Sequence, residues 1–125
     1  MRNFLVKAFD EYVVGTTNVY TPTSLGELLG SPDRLCGMFI VHTTTGTSPT
    51  VTIQFEHSFD GTRWQNQNAT PEVNAWAPSG GFANAIPFAS TRIPTLNYVR
   101  LRIALGGSSP SASLAIWLCG RSPNR

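Results

Sequence analysis

An all-β, antiparallel β-sandwich, jelly-roll-like and of about eight strands, is the fold this sequence predicts, and three observations predict it. Only 13% of the 125 residues are charged, while Gly, Pro, Ser and Thr recur throughout, a balance that suits strands and turns better than a helical bundle. Apolar residues alternate at period two in Val51, Ile53 and Phe55, in Val99, Leu101, Ile103 and Leu105, and in Ala112, Leu114, Ile116 and Leu118. Finally, Gly46-Thr47-Ser48-Pro49 is nearly copied as Gly107-Ser108-Ser109-Pro110, each between two apolar runs. Strands with one apolar face need a second sheet to cover it, and the length suits a single domain, 1–125, around one core.

The elements follow in order. Residues 1–21 read as an N-terminal arm of short β-type runs, FLVKAF, EYVV and TNVYT, broken by Gly15-Thr16-Thr17. A short helical turn is predicted near 24–29, where Ser24 and Glu27 form a capping box, Gly30 can close the turn and Pro32 forbids continuation. Two hairpins are then predicted, each turning at one Gly-x-Ser-Pro copy: the Gly supplies backbone freedom and the Pro opens the next strand. Between them, 65–84 lacks alternation and carries Pro71, Pro78 and Gly80-Gly81, so it reads as a long interaction loop.

The stretch His57 to Trp64, HSFDGTRW, is predicted to be a tight hairpin turn with a new strand starting near Thr62. Asp60-Gly61 accepts positive φ, Ser58 can bond the turn backbone, and Trp64 packs at the hairpin base. These four residues are assigned a turn-structural role. His57, Ser58 and Asp60 are triad residue types, but neighbours on a strand point to opposite faces and cannot form a proton relay. His57 and His42 are both expected to face the core.

No spacing of His, Cys, Asp or Glu suggests a metal, and no Gly-rich loop suggests a phosphate, so no catalytic residue and no cofactor is expected. A net charge of +2 argues little for nucleic acid. No apolar run is long enough for a signal-peptide core or a membrane span, which points to synthesis in the cytoplasm. Cys36 and Cys119 are expected to be free thiols on opposite faces of their sheets.

Partner contacts are the remaining candidates. Every acid lies at or before Glu72, while Arg92, Arg100, Arg102, Arg121 and Arg125 follow. Arg100 and Arg102, with Trp117 across the predicted hairpin, suit an acidic protein surface or a nucleic-acid strand; more simply, they suit solvated side chains whose stems cover Trp117. Trp76 and Phe82, in the 65–84 loop, are natural interface anchors or a lid folded back on the core.

Two resemblances bear on this. SPTVTIQFEHSFDGTRW (48–64) and NYVRLRIALGGSSPSASLAIWLCGR (97–121) resemble small β-sandwich virion structural proteins of bacteriophages, of the capsid decoration, cement or tail-associated type. That resemblance implies a non-enzymatic head or tail component that stabilises a particle assembled in the host cytoplasm. It implies contacts to a major capsid or tail protein and a homo-oligomer. The S-x-D-G-x-x-W pattern also resembles the hairpin of discoidin-like sandwiches, which implies the alternative of a carbohydrate-binding module gripping a sugar with Trp64 and Trp76.

Overall fold

In a computed structural model, which describes residues 2–21, 34–66, 71–77, 85–89 and 98–122, the described residues form seven strands. They are β1 (Arg2–Val14), β2 (Val19–Tyr20), β3 (Arg34–Ser58), β4 (Gln65–Asn66), β5 (Val73–Trp76), β6 (Ala85–Ala89) and β7 (Tyr98–Ser122), and every pairing is antiparallel. The helical turn expected over 24–29 lies outside the described residues.

The spine is a ribbon of β3 and β7, each 25 residues long, paired from Arg34↔Arg121 to Ser58↔Tyr98. The two predicted hairpins therefore do not form. Each Gly-x-Ser-Pro copy is instead a corner inside one long strand, and the partner across each strand is the other long strand. The corners meet: Thr47 pairs with Ser108 and Thr50 with Gly106, with register shifts on either side. Gly46 and Gly107 take φ of 108° and 102°, and Ser48 and Ser109 take 51° and 48°. Two antiparallel strands bending at one place must make the same bend about a local twofold. The near-copy in the sequence is the trace of that requirement.

Folded at these corners, the ribbon makes two layers. The first holds β1, residues 111–122 of β7, residues 34–45 of β3, and β6. The second holds β2, residues 98–106 of β7, residues 50–58 of β3, and β4 and β5. The N-terminal arm turns with the ribbon: β1 is one strand of 13 residues, Gly15 donates its N–H to the Pro110 carbonyl at 2.8 Å, and the chain crosses to β2. Thr21, buried, then donates its N–H to the Leu101 carbonyl at 3.0 Å and accepts the Leu101 N–H on its hydroxyl at 2.9 Å.

The core lies between the layers. Phe9, Val13, Leu35, Phe39, Val41, Ala112, Leu114, Ile116 and Leu118 from the first meet Val51, Ile53, Phe55, Val73, Val99, Leu101, Ile103 and Leu105 from the second in one buried cluster. The inward positions of the three alternating runs, 51–55, 99–105 and 112–118, are all buried. His42 is a correction: it is exposed, because the register shift between Val41 and Thr43 breaks the alternation there. His57 is half-buried.

Of 65–84, the structure describes 65–66 and 71–77, and both pieces pair with β3. β4 continues the ladder at Glu56↔Asn66 and His57↔Gln65, and β5 pairs Val51↔Trp76 and Ile53↔Val73. Beside β5, side chains take up backbone donors that the ladder leaves over. Glu72 accepts the Phe55 N–H at 3.1 Å, and the Thr52 hydroxyl accepts the Ala75 N–H at 3.0 Å.

Candidate functional site

The Ser58–Trp64 stretch forms a longer loop than the expected two-residue hairpin, since the next strand starts at Gln65. The buried Ser58 hydroxyl donates to Asp60 Oδ1 at 3.0 Å and accepts the N–H groups of Asp60 and Gly61 at 3.2 and 3.0 Å. Asp60 Oδ1 accepts the N–H groups of Thr62 and Arg63, both at 2.9 Å. Four backbone donors are thus satisfied by two side chains, and the strand they would have joined is delayed. The Arg63 N–H, then the Thr62 N–H and Ser58, hold the Asp60 carboxyl below its ordinary 3.8. A lowered pKa means that this stabilisation is present above that ordinary value and is lost as pH falls through the lowered one.

Gly61, at φ 78°, lies against the Tyr98 ring: a Cβ there would approach it to 3.4 Å. Gly61→Val is expected to cost about 1–3 kcal/mol by urea denaturation, because a β-branched residue resists positive φ. Asp60→Asn, which keeps the Oδ1 acceptor, should be nearly silent at neutral pH and should flatten the acid limb of stability against pH. An acid limb unchanged in that variant would remove Asp60 from the account. Ser58 gives its hydroxyl to Asp60 and not to His57, whose buried Nδ1 has no partner. The three residues form a capped loop and no proton relay. A shallow cleft of about 260 Å³ opens beside them, lined by His57, Phe59, Asp60, Arg63 and Gln65.

Arg100 and Arg102 do not share a surface with Trp117. Both arginines stand on the outer face of the second layer, opposite Glu56 and Gln54 of β3. Arg100 reaches the Glu56 carboxylate at 2.8 Å, and Arg102 Nη1 lies 3.9 Å from its second oxygen; Arg102 Nη2 also donates to Gln54. The Arg100 guanidinium is clasped between aromatic rings, 3.8 Å from the Tyr20 centroid and 4.1 Å from Trp64. Charge and faces are thus taken up internally, and Trp64 serves to cover Arg100.

Trp117 stands on the outer face of the first layer, between Lys7 of β1 and Met38 of β3, with the Lys7 ammonium 5.4 Å from its ring centroid. Large apolar side chains are exposed beside it and farther along β1: Leu5 is 63% exposed, Tyr12 62%, Val14 66% and Met38 40%. The sequence reading missed these four. Their signal was that β1 carries apolar residues on both faces, as a strand covered on both sides does.

Trp76 is half-buried, edge-on to Phe39 at 5.1 Å, and closes the rim of the core. Trp64 and Trp76 are therefore each packed on an internal partner and do not jointly offer the ring faces a sugar platform needs. Phe82 lies outside the described residues. Cys36 and Cys119, free thiols, overturn the expected opposite orientation: they are direct partners in the β3–β7 ladder, on the same outer face, as Met38 and Trp117 are two residues along. Among the described residues, no group of three or more His, Cys, Asp or Glu could hold a metal, and no helix is long and apolar enough to cross a membrane.

No protein-family model matches the chain, and no curated protein matches it. Solved structures do. The VP2 subviral particle of infectious bursal disease virus aligns with a TM-score of 0.57 and 14% identity, over 98% of this chain and 33% of that one. Structures of the Gx and Gt strains of the same virus align equally well, over 99% of this chain and 34% of theirs. The chain thus spans about a third of the length of these relatives, and at 14% identity the likeness is one of fold.

Proposed function

We propose that the chain is a non-enzymatic virion structural protein that attaches through the outer face of its first layer. The observation that carries this is the difference between the two outer faces. The second layer closes its polar groups on one another, Glu56 with Arg100 and Arg102, and covers them with Tyr20 and Trp64. The first presents Leu5, Tyr12, Val14, Met38 and Trp117 along and beside β1, whose outer edge pairs with no other described strand. A long edge with apolar outward side chains invites another chain. The fold it shares with virus-particle proteins supports a role in a particle.

In its finer form the reading is a bacteriophage capsid decoration or cement protein, or a minor head or tail component. It is held in the virion by a major capsid or tail protein and by copies of itself. Trp117 is the contact residue among the original candidates that this face retains. Phe82 and the rest of 65–84 are proposed to add to the contact from their side.

The test is the double variant Leu5→Lys/Met38→Lys. Both side chains are exposed, so the melting temperature should hold. Sedimentation velocity and co-sedimentation with particles from the source should show self-association and incorporation lost. Phe59→Lys, at a still more exposed apolar residue elsewhere, should leave both intact. A double variant that still assembles, or a wild-type chain that remains monomeric and never enters particles, would sink the reading.

A further inference from the structure

The strands that carry the core also bring two thiols together. Cys36 and Cys119 lie 83 residues apart in sequence and directly opposite in the β3–β7 ladder, near the start of one long strand and the end of the other. Their Sγ atoms are 2.8 Å apart, and the Cys36 thiol also reaches the Cys119 carbonyl at 3.4 Å. Residues opposed in an antiparallel ladder hold their Cα atoms roughly 4.5–5.5 Å apart, inside the roughly 4.4–6.8 Å that a disulfide accepts. No backbone movement is needed to join them. Cys36 is exposed and Cys119 partly so, on the outer face, where a small reagent can reach the pair.

We propose that Cys36 and Cys119 form a dithiol–disulfide site, which a small-molecule disulfide of the glutathione class closes into a staple between β3 and β7. The exposed Cys36 reacts first. Its thiolate attacks one sulfur of glutathione disulfide, forming a mixed disulfide and expelling one glutathione thiolate. Cys119, as its thiolate, then attacks the Cys36 sulfur, forming the protein disulfide and expelling the second glutathione. Two electrons pass from the protein sulfurs to glutathione disulfide, and the two thiol protons end on the two glutathione products. Burial, then contact with the Cys36 thiol, push the Cys119 thiol up to about 11. The second step should therefore quicken as pH rises through the alkaline range. A reducing cytoplasm keeps such a pair open, and an oxidising exterior closes it. The staple does not depend on the virion reading, because it is a property of the isolated chain.

Incubating the purified full chain with glutathione disulfide tests this. Peptide mapping without reductant should find Cys36 joined to Cys119 within one chain, with the mass of two hydrogen atoms lost. The melting temperature should rise on the order of 10 °C, since the link closes a long loop in the unfolded chain, and dithiothreitol should reverse it. Cys119→Ser should accumulate a glutathione adduct at Cys36 that does not resolve. Cys36→Ser, altered at the exposed position, should take neither adduct nor temperature rise. A persistent adduct on the wild-type chain, a disulfide between chains, or a link with no temperature rise would overturn the proposal.

Discussion

Gly107→Ala is expected to remove about 3–5 kcal/mol of stability, a large share of what a domain of this size has, and Gly46→Ala should do the same. Two costs combine. At φ of 102° and 108° any side chain is strained, which is worth about 1–3 kcal/mol. The added methyl also has nowhere to go. At Gly107 it would sit 2.7 Å from the Ser48 and Thr47 carbonyl oxygens, and at Gly46 it would sit 2.8 Å from those of Ser108 and Ser109. These are backbone atoms of the opposite corner, so relief means pulling the two long strands apart where the ribbon folds, at about another 1–3 kcal/mol. Ser108→Ala, in the same corner but exposed and free of both constraints, should change stability by under about 0.5 kcal/mol. Urea denaturation of the three variants decides the matter. If Gly46→Ala is mild while Gly107→Ala is severe, the corners are not related by a local twofold as described.

Glu56→Ala is expected to cost about 2–4 kcal/mol. Its side chain is only 9% exposed and it is the carboxylate that two arginines share. Removing one partner of a buried pair leaves the others desolvated and uncompensated, at about 3–5 kcal/mol when burial is complete. The arginine side chains retain 18% and 25% exposure, so water offsets part of that loss and the lower range applies. Replacing Glu56→Leu with Arg100→Met should recover most of the stability, because the one charge left on this face, on Arg102, keeps its bond to Gln54 and part of its contact with water, and the Tyr20 and Trp64 rings keep an apolar side chain to clasp. A double variant as unstable as Glu56→Ala alone would show that the packing of the rings, and not the charge pair, holds this face together.

Sequence alone determined the inward faces of three strand segments. Val51, Ile53, Phe55, Val99, Leu101, Ile103, Leu105, Ala112, Leu114, Ile116 and Leu118 are all inside, because the alternation of side chains along a strand is a local property of its backbone. It also marked the bends, since Gly at positive φ beside Ser-Pro is a local demand. Only the tertiary structure decided which strands are neighbours. A hairpin turn and a corner in a long strand ask for the same local backbone, and differ only in whether the partner lies just across the turn or far along the chain. From that one ambiguity followed the misplacement of Trp117 beside Arg100 and Arg102, and of Cys36 on the face away from Cys119. The Tyr20–Arg100–Trp64 stack and the Glu56 pair were illegible for the same reason. Each joins side chains from separate strands, and pairing energy depends on cross-strand register, which no period within a single strand records.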